Sequence, residues 1–249
     1  MEYLVSDYTE VWVPSPVIPL IQFADRVRSI QSTGLDLVGI PDHDVPDTLR
    51  TIIASFDSVV SWYGSTRSEY RHAMLSINPN CEFHAALPRD FSVHATDFFA
   101  AQVGAPLGLI PRMRIAAAEQ RDKVVIHPFS GSKKKNWPLD CYRELAVRLP
   151  LHADWLAGPK EELHEAHRFE NLAELASFMA GARLYIGNDS GITHLAAAAG
   201  VKTLAIFGSA SPPIWFPRGG NVHVIAVDDL LQLDARTVAH EANRLLHSP

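Results

Sequence analysis

The 249 residues predict an α/β protein whose parallel sheets are covered by helices on both faces. Two observations carry this. Short β-branched runs alternate with helical stretches along most of the chain, the pattern of strand-helix-strand units. Apolar residues make up 47% and charged residues 20%, the composition of a globular core and not that of a disordered acidic chain. No apolar run approaches the ~20 residues that span a bilayer.

In chain order, Val11–Val13 reads as a strand closed by Pro14 and Pro16. Leu20, Phe23, Ala24, Val27 and Ile30 fall at helical spacing and predict a helix over 19–30. Residues 35–40 read as a strand and 42–47 as a loop. Residues 56–64 form a strand ending at Gly64, followed by a helix over 65–77 with Ser65 and Ser68 as capping candidates. Residues 81–87 are a strand, and 95–104 a helix closed by Gly104. The stretch 105–122 holds Pro106, Gly108 and Pro111 and then charges, which makes it the domain boundary. The expected units are 1–112 and 113–249. Beyond it, residues 124–127 read as a buried strand. Helices are expected at 139–148, 159–167, 172–180, 191–199 and 234–247, and strands at 153–157, 183–187, 202–207 and 222–227.

Charge and cysteine usage narrow the function. Lys and Arg number 22 against 28 Asp and Glu, a net charge of −6. Such a chain lacks the cationic surface that non-specific nucleic-acid binding needs. The N-terminus carries acids where a signal peptide has a basic region and an apolar core. Only Cys81 and Cys141 occur, so no disulfide framework or cysteine zinc site is expected, and the natural location is the cytoplasm.

Three segments carry chemistry. His127–Pro138 (HPFSGSKKKNWP) directly follows an apolar strand, so it lies where open α/β sheets bind ligands. Ser130, Gly131 and Ser132 offer hydroxyls and approachable N–H groups, and Lys133, Lys134 and Lys135 offer positive charge for an anion. The spacing is not that of a Walker A loop, and by itself the lysine run reads as a solvated turn, as most charge runs do. Tyr185–Gly200 (YIGNDSGITHLAAAAG) joins a strand to a helix. Asp189 and Ser190 are N-cap candidates, and Gly191 lets a ligand reach first-turn N–H groups that favour anions. His194 falls one turn further in, and the order Gly-Asn-Asp-Ser-Gly is not a hydrolase elbow. Ala205–Pro217 reads as another carboxyl-end loop. Residues 155–162 (WLAGPKEE) end a strand with Gly158 and two acids, either of which can hold a ribose hydroxyl or simply charge the first turn of a helix. His164–His167 (HEAH) and Asp42–Asp44 (DHD) lack metal-ligand spacing.

The lysine segment, the glycine-plus-acids turn and the GNDSGITHLAAAAGVKTLAIFG run together resemble glycosyltransferase family 9, which contains ADP-heptose:lipopolysaccharide heptosyltransferases. The resemblance covers residues 123–227. It implies a GT-B fold of two Rossmann-like domains facing a cleft, the first of them shortened here. It implies inverting transfer with no metal or other cofactor. The donor would be a nucleotide sugar of the ADP-heptose type and the acceptor a cell-envelope glycan or lipid, as in lipopolysaccharide biosynthesis. Peripheral contact with the inner membrane, without a transmembrane segment, follows from that acceptor. By motif position, Ser130, Gly131 and Lys135 match phosphate-loop contacts, with Ser132 and Gly158 beside them. Glu162 matches the ribose-binding acid, with Glu161 as second choice, and Glu170 matches a position at the base. Asp189, Ser190, Gly191 and His194 match diphosphate and sugar contacts. The family places its general base in a Gly-Asp loop after its first strand, and this chain contains no Gly-Asp pair. No catalytic residue is therefore assigned, the first βα unit is expected to be missing, and a non-catalytic sugar-nucleotide-binding protein or subunit is the alternative.

Overall fold

The computed structural model describes residues 2–4, 6–90, 92–115, 119–209 and 212–248. They fall into two compact units, residues 1–107 and 108–249. The expected 112/113 boundary thus falls five residues inside the second of these units.

In the first unit, β1 (Glu10–Val13) pairs in parallel with β2 (Arg26–Ser29), and β3 (Val59–Ser61) with β4 (Cys81–Phe83). The short helix α1 (Ile30–Thr33) follows β2, and α2 (Asp47–Ala54), α3 (Ser68–Ile77) and α4 (Ala95–Gln102) complete the unit. Its core holds Ile30, Leu35, Val38, Leu49, Ile53, Tyr70 and Met74. β1 and β3 both line one pocket of about 310 Å³, into which several of those core side chains also face.

Several expectations for this unit are corrected. The helix over 19–30 is instead a 3₁₀ turn (Ser15–Leu20) followed by β2. Pro16 and Pro19 withhold backbone N–H groups from a helix, and Val27 pairs opposite Val11 while Arg28 meets Glu10. The strand over 35–40 is a 3₁₀ turn, Leu35–Leu37, because Gly34 (φ 75°) and Gly39 (φ 74°) reverse the chain on either side. A Cβ at Gly39 would meet the Tyr70 backbone nitrogen at 2.5 Å. α2 was not anticipated, and α3 starts after Arg67 with no side-chain cap from Ser65 or Ser68.

The second unit is one five-stranded parallel sheet in the order β6-β5-β7-β8-β9. Its strands are β5 (Arg121–His127), β6 (His152–Trp155), β7 (Ala182–Asn188), β8 (Thr203–Phe207) and β9 (Val222–Ala226). Central strands buried on both faces read as continuous apolar runs, and β8 (TLAIF) is buried at every residue. Alternate side chains, Val124, Ile126, Leu184, Ile186, Leu204 and Ile206, pack with α5 (Leu139–Arg148) and α8 (Ala235–His247). The opposite face is covered by α6 (Leu172–Ala180) and α7 (Gly191–Ala198). The alanine run of α7 lets it lie close to β7 and β8, and Gly200 (φ 85°) ends it.

The helix expected over 159–167 does not form. Arg168 instead donates to the carbonyls of Glu161 (2.8 Å), Leu163 (3.0 Å) and Ala166 (3.2 Å). His167 returns to the sheet edge, where its N–H bonds the Trp155 carbonyl at 2.8 Å. The α/β class expected from the sequence holds in both units. No described helix is long and apolar enough to cross a membrane.

Candidate functional site

The strand order turns back on itself between β5 and β7, so a crevice opens at their carboxyl ends, where sheets of this kind take ligands. A pocket of about 320 Å³ lies there, lined from four segments: His127 at the end of β5 with Ser130 and Gly131 after it, Leu156 to Pro159 and Glu161 after β6, His167, Phe169, Leu172 and Leu175 leading into and along α6, and Ser190 to Ile192 at the start of α7.

One buried amide holds these segments in register. Asn188, fully buried at the end of β7, accepts from the Trp137 N–H (3.0 Å) and the Tyr142 hydroxyl (2.9 Å) and donates to the Pro128 carbonyl (2.8 Å). It thereby ties both ends of the lysine segment to the strand. Tyr185 lies across Gly187 to reach Thr193, with 3.1 Å between their hydroxyl oxygens. A Cβ at Gly187 would meet the Tyr185 hydroxyl at 2.4 Å, so close approach explains that glycine. Burial pushes the Tyr185 phenol well above its ordinary pKa, although hydrogen bonds to Thr193 and Ser190 oppose it.

One end of the pocket is built for an anion. Ser190 caps α7, its hydroxyl accepting from the Thr193 N–H, so the first-turn N–H groups of a helix point at the pocket, where its dipole favours negative charge. Lys135 reaches over from its 3₁₀ turn, and its Nζ donates to Asp189 Oδ2 at 2.6 Å. Ser130 donates to the Ser132 carbonyl at 2.8 Å, which folds the Ser130–Gly131 turn into the lining.

The other end is apolar with one carboxylate. Leu156, His167, Phe169, Leu172 and Leu175 form its wall, and Phe169 packs on Phe178 with ring centroids 5.0 Å apart. Glu161 bends back so that its Oε2 accepts from the Gly158 N–H at 2.6 Å and lies 3.4 Å from His127 Nε2. Burial raises the Glu161 pKa, but the His127 and Gly158 hydrogen bonds and the charges of His127 and Arg168 outweigh it, so the carboxyl sits below its usual range.

Of the residues anticipated from sequence, Ser130, Gly131, Gly158, Ser190 and Gly191 line the pocket. Lys135 and Asp189 meet beside it as an ion pair. Ser132 shapes the turn through its carbonyl without lining the pocket, and His194 is half-buried one turn into α7, also outside the lining. Glu162 and Glu170 are exposed and outside the lining; Glu161 and Phe169, their chain neighbours, face in instead. His127 and the apolar wall were not anticipated. The only sequence signal for His127 was its place at the end of an apolar strand. Among the described residues no three His, Cys, Asp or Glu side chains cluster as a metal site.

Residues 88–239 match the model of glycosyltransferase family 9 (heptosyltransferase). Lipopolysaccharide heptosyltransferase 1 of Pseudomonas aeruginosa is 37% identical over a region covering 31% of this chain and 26% of that protein, so the match spans about a quarter of the relative's length. Among solved structures, E. coli ADP-heptose lipopolysaccharide heptosyltransferase II aligns with a TM-score of 0.72 at 16% identity, over 95% of this chain and 88% of that one. E. coli heptosyltransferase WaaC, solved with ADP, gives 0.64 at 17% identity over 94% and 89%. A family 9 glycosyltransferase from Veillonella parvula gives 0.69 at 17% over 96% and 88%. At such identities the likeness is one of fold, and the fold is the GT-B-like one expected from the sequence.

Proposed function

The chain belongs to glycosyltransferase family 9, and we propose that it binds a nucleotide sugar of the ADP-heptose type in the pocket of its second unit and transfers the sugar to a cell-envelope glycan or lipid by inversion, without a metal. The observation that carries this reading is the pocket's polarity. An anion-binding helix terminus stands at one end, and an apolar wall with a single carboxylate at the other. Diphosphate, ribose and base need these features in that order.

In this reading the α7 N–H groups, the Ser130–Gly131 turn and Lys135 take the diphosphate. They stabilise the charge that develops on the leaving group, the work a divalent ion does in other transferases. Glu161 accepts the ribose hydroxyls, the role sequence position assigned first to Glu162, and the base lies on Phe169, Leu172 and Leu175. Glu170 contributes at most its backbone, as its motif position implies. The reaction belongs at the cytoplasmic face of the inner membrane, with only peripheral membrane contact.

Calorimetry with ADP, UDP, GDP and ADP-sugars tests the assignment. Tightest binding by the ADP series supports it, and no binding by any nucleotide overturns it. A second reading, a non-catalytic binding protein or subunit, is favoured by one observation: none of the 249 residues forms a Gly-Asp pair. Donor binding without transfer to any envelope acceptor would select it.

A further inference from the structure

His127 closes β5, is 5% exposed, and lines the candidate pocket. Its Nε2 lies 3.4 Å from Glu161 Oε2. Its Nδ1 is buried and has no hydrogen-bond partner among the described residues. A buried imidazole normally satisfies both nitrogens, so this ring forgoes one partner while keeping the contact with Glu161. The Gly158 N–H also falls on Oε2, so both contacts hold the same carboxylate oxygen and leave Oε1 for a ligand.

We propose that His127 is a positioning residue for the nucleotide's ribose: it fixes the Glu161 carboxylate from beneath, so that Oε1 meets the ribose hydroxyls without first losing side-chain freedom. The inference rests on the nucleotide reading of the pocket. A free glutamate side chain samples many rotamers, and a group already held in its bound geometry binds more tightly for the same contact. Gly158 alone gives Oε2 a single partner; the His127 contact adds a second and further narrows the rotamers open to the side chain. The proton that faces a carboxylate must sit on Nε2, which makes Nδ1 the nitrogen without a role. His127 then acts on the ribose through Glu161 and touches no reacting atom.

The chemistry of the two ring nitrogens supplies the test. The side-chain nitrogen of glutamine reaches the position of histidine Nε2, whereas that of asparagine reaches only the position of Nδ1. Affinities of the full chain and of its His127→Gln and His127→Asn variants are measured for ADP and for 2′,3′-dideoxy-ADP, which lacks both ribose hydroxyls. We expect His127→Asn to weaken ADP by roughly five-fold, the scale of one hydrogen bond, to leave the dideoxy nucleotide unchanged, and His127→Gln to restore ADP binding. Equal losses for both nucleotides, or no loss for either, would overturn the proposal. If His127→Asn fails to fold, Glu161→Ala is compared in the wild-type and His127→Leu backgrounds: a smaller loss of ADP affinity in the His127→Leu background supports the shared contact, and equal losses in both overturn it. Failure of the unaltered chain to bind ADP would sink the nucleotide reading itself, a result distinct from a ribose-independent loss.

Discussion

Lys135 and Asp189 act as one unit, since the lysine Nζ donates to the carboxylate at 2.6 Å and Asp189 is only 7% exposed. Removing the lysine withdraws a charge-assisted contact from the diphosphate, worth about 1.5–3 kcal/mol. It also leaves a buried carboxylate facing the phosphates. Lys135→Ala should therefore weaken ADP binding by about ten-fold or more, the equivalent of ~1.4 kcal/mol. Lys135→Ala/Asp189→Asn should bind ADP more tightly than Lys135→Ala alone, because the negative charge that repels the phosphates is gone. Strictly additive losses in calorimetry would show that the pair does not work as a unit. Glu161 gives a pH signature. Its folded pKa is lowered, chiefly because hydrogen bonds from His127 and Gly158 outweigh burial. Its contribution to stability is thus present above the ordinary glutamate value of about 4.3 and is lost as pH falls through the folded value. The difference in unfolding free energy between the wild type and Glu161→Gln should be constant near neutrality and shrink below about pH 4.3. A difference that grows on acidification would contradict the assignment.

Among the elements, the carboxyl end of β7 is tightly packed at Gly187. Gly187→Ala would set a methyl 2.4 Å from the Tyr185 hydroxyl, and that ring is fully buried and tied to Thr193. Overpacking of this kind typically costs about 1–3 kcal/mol. Urea unfolding should show a loss of that size, and Tyr185→Phe should relieve part of it. Unchanged stability in Gly187→Ala would mean that the turn is slack. The same region shows why the second unit was legible in sequence. Its central strands carry buried apolar runs such as Val124–Ile126 and Leu204–Phe207, and its helices begin at Pro138, Asn171, Ser190 and Asp234, residues that stop or cap a chain visibly. In the first unit, by contrast, strands are three or four residues long, and the apolar spacing of Leu20, Phe23, Val27 and Ile30 suits a helix as well as a prolyl turn followed by β2. Pairing with β1 decided between them, and pairing is invisible along one segment. Glu161 was outranked by Glu162 for a similar reason: the motif aligned both, and only the fold of Arg168 over the turn determines which faces in.

Across the whole molecule, every lining residue of the candidate pocket lies in the second unit, and that unit has its own core of strands packed against α5 and α8. Donor binding should therefore be separable from transfer. A fragment of residues 108–249 is expected to fold and to bind ADP within about three-fold of the full chain, less than the ~1.4 kcal/mol of a ten-fold change, while transferring no sugar. If Lys135 and the helix N–H groups supply the positive charge at the site, as proposed, affinity in EDTA should equal affinity in excess magnesium. A carboxylate clamp would behave otherwise, because magnesium held jointly by protein and phosphates is lost to a chelator. General-base catalysis typically contributes 10²–10⁴-fold, so a chain that binds donor yet lacks the base retains full affinity and turns over slowly. Asp189 is a poor substitute, since its carboxylate is already engaged by Lys135. Titration of the fragment and the full chain with ADP, beside a transfer assay of both, separates the two outcomes. Magnesium-dependent binding, or a fragment that folds but cannot bind, would place the donor site elsewhere than the β5–β7 crevice.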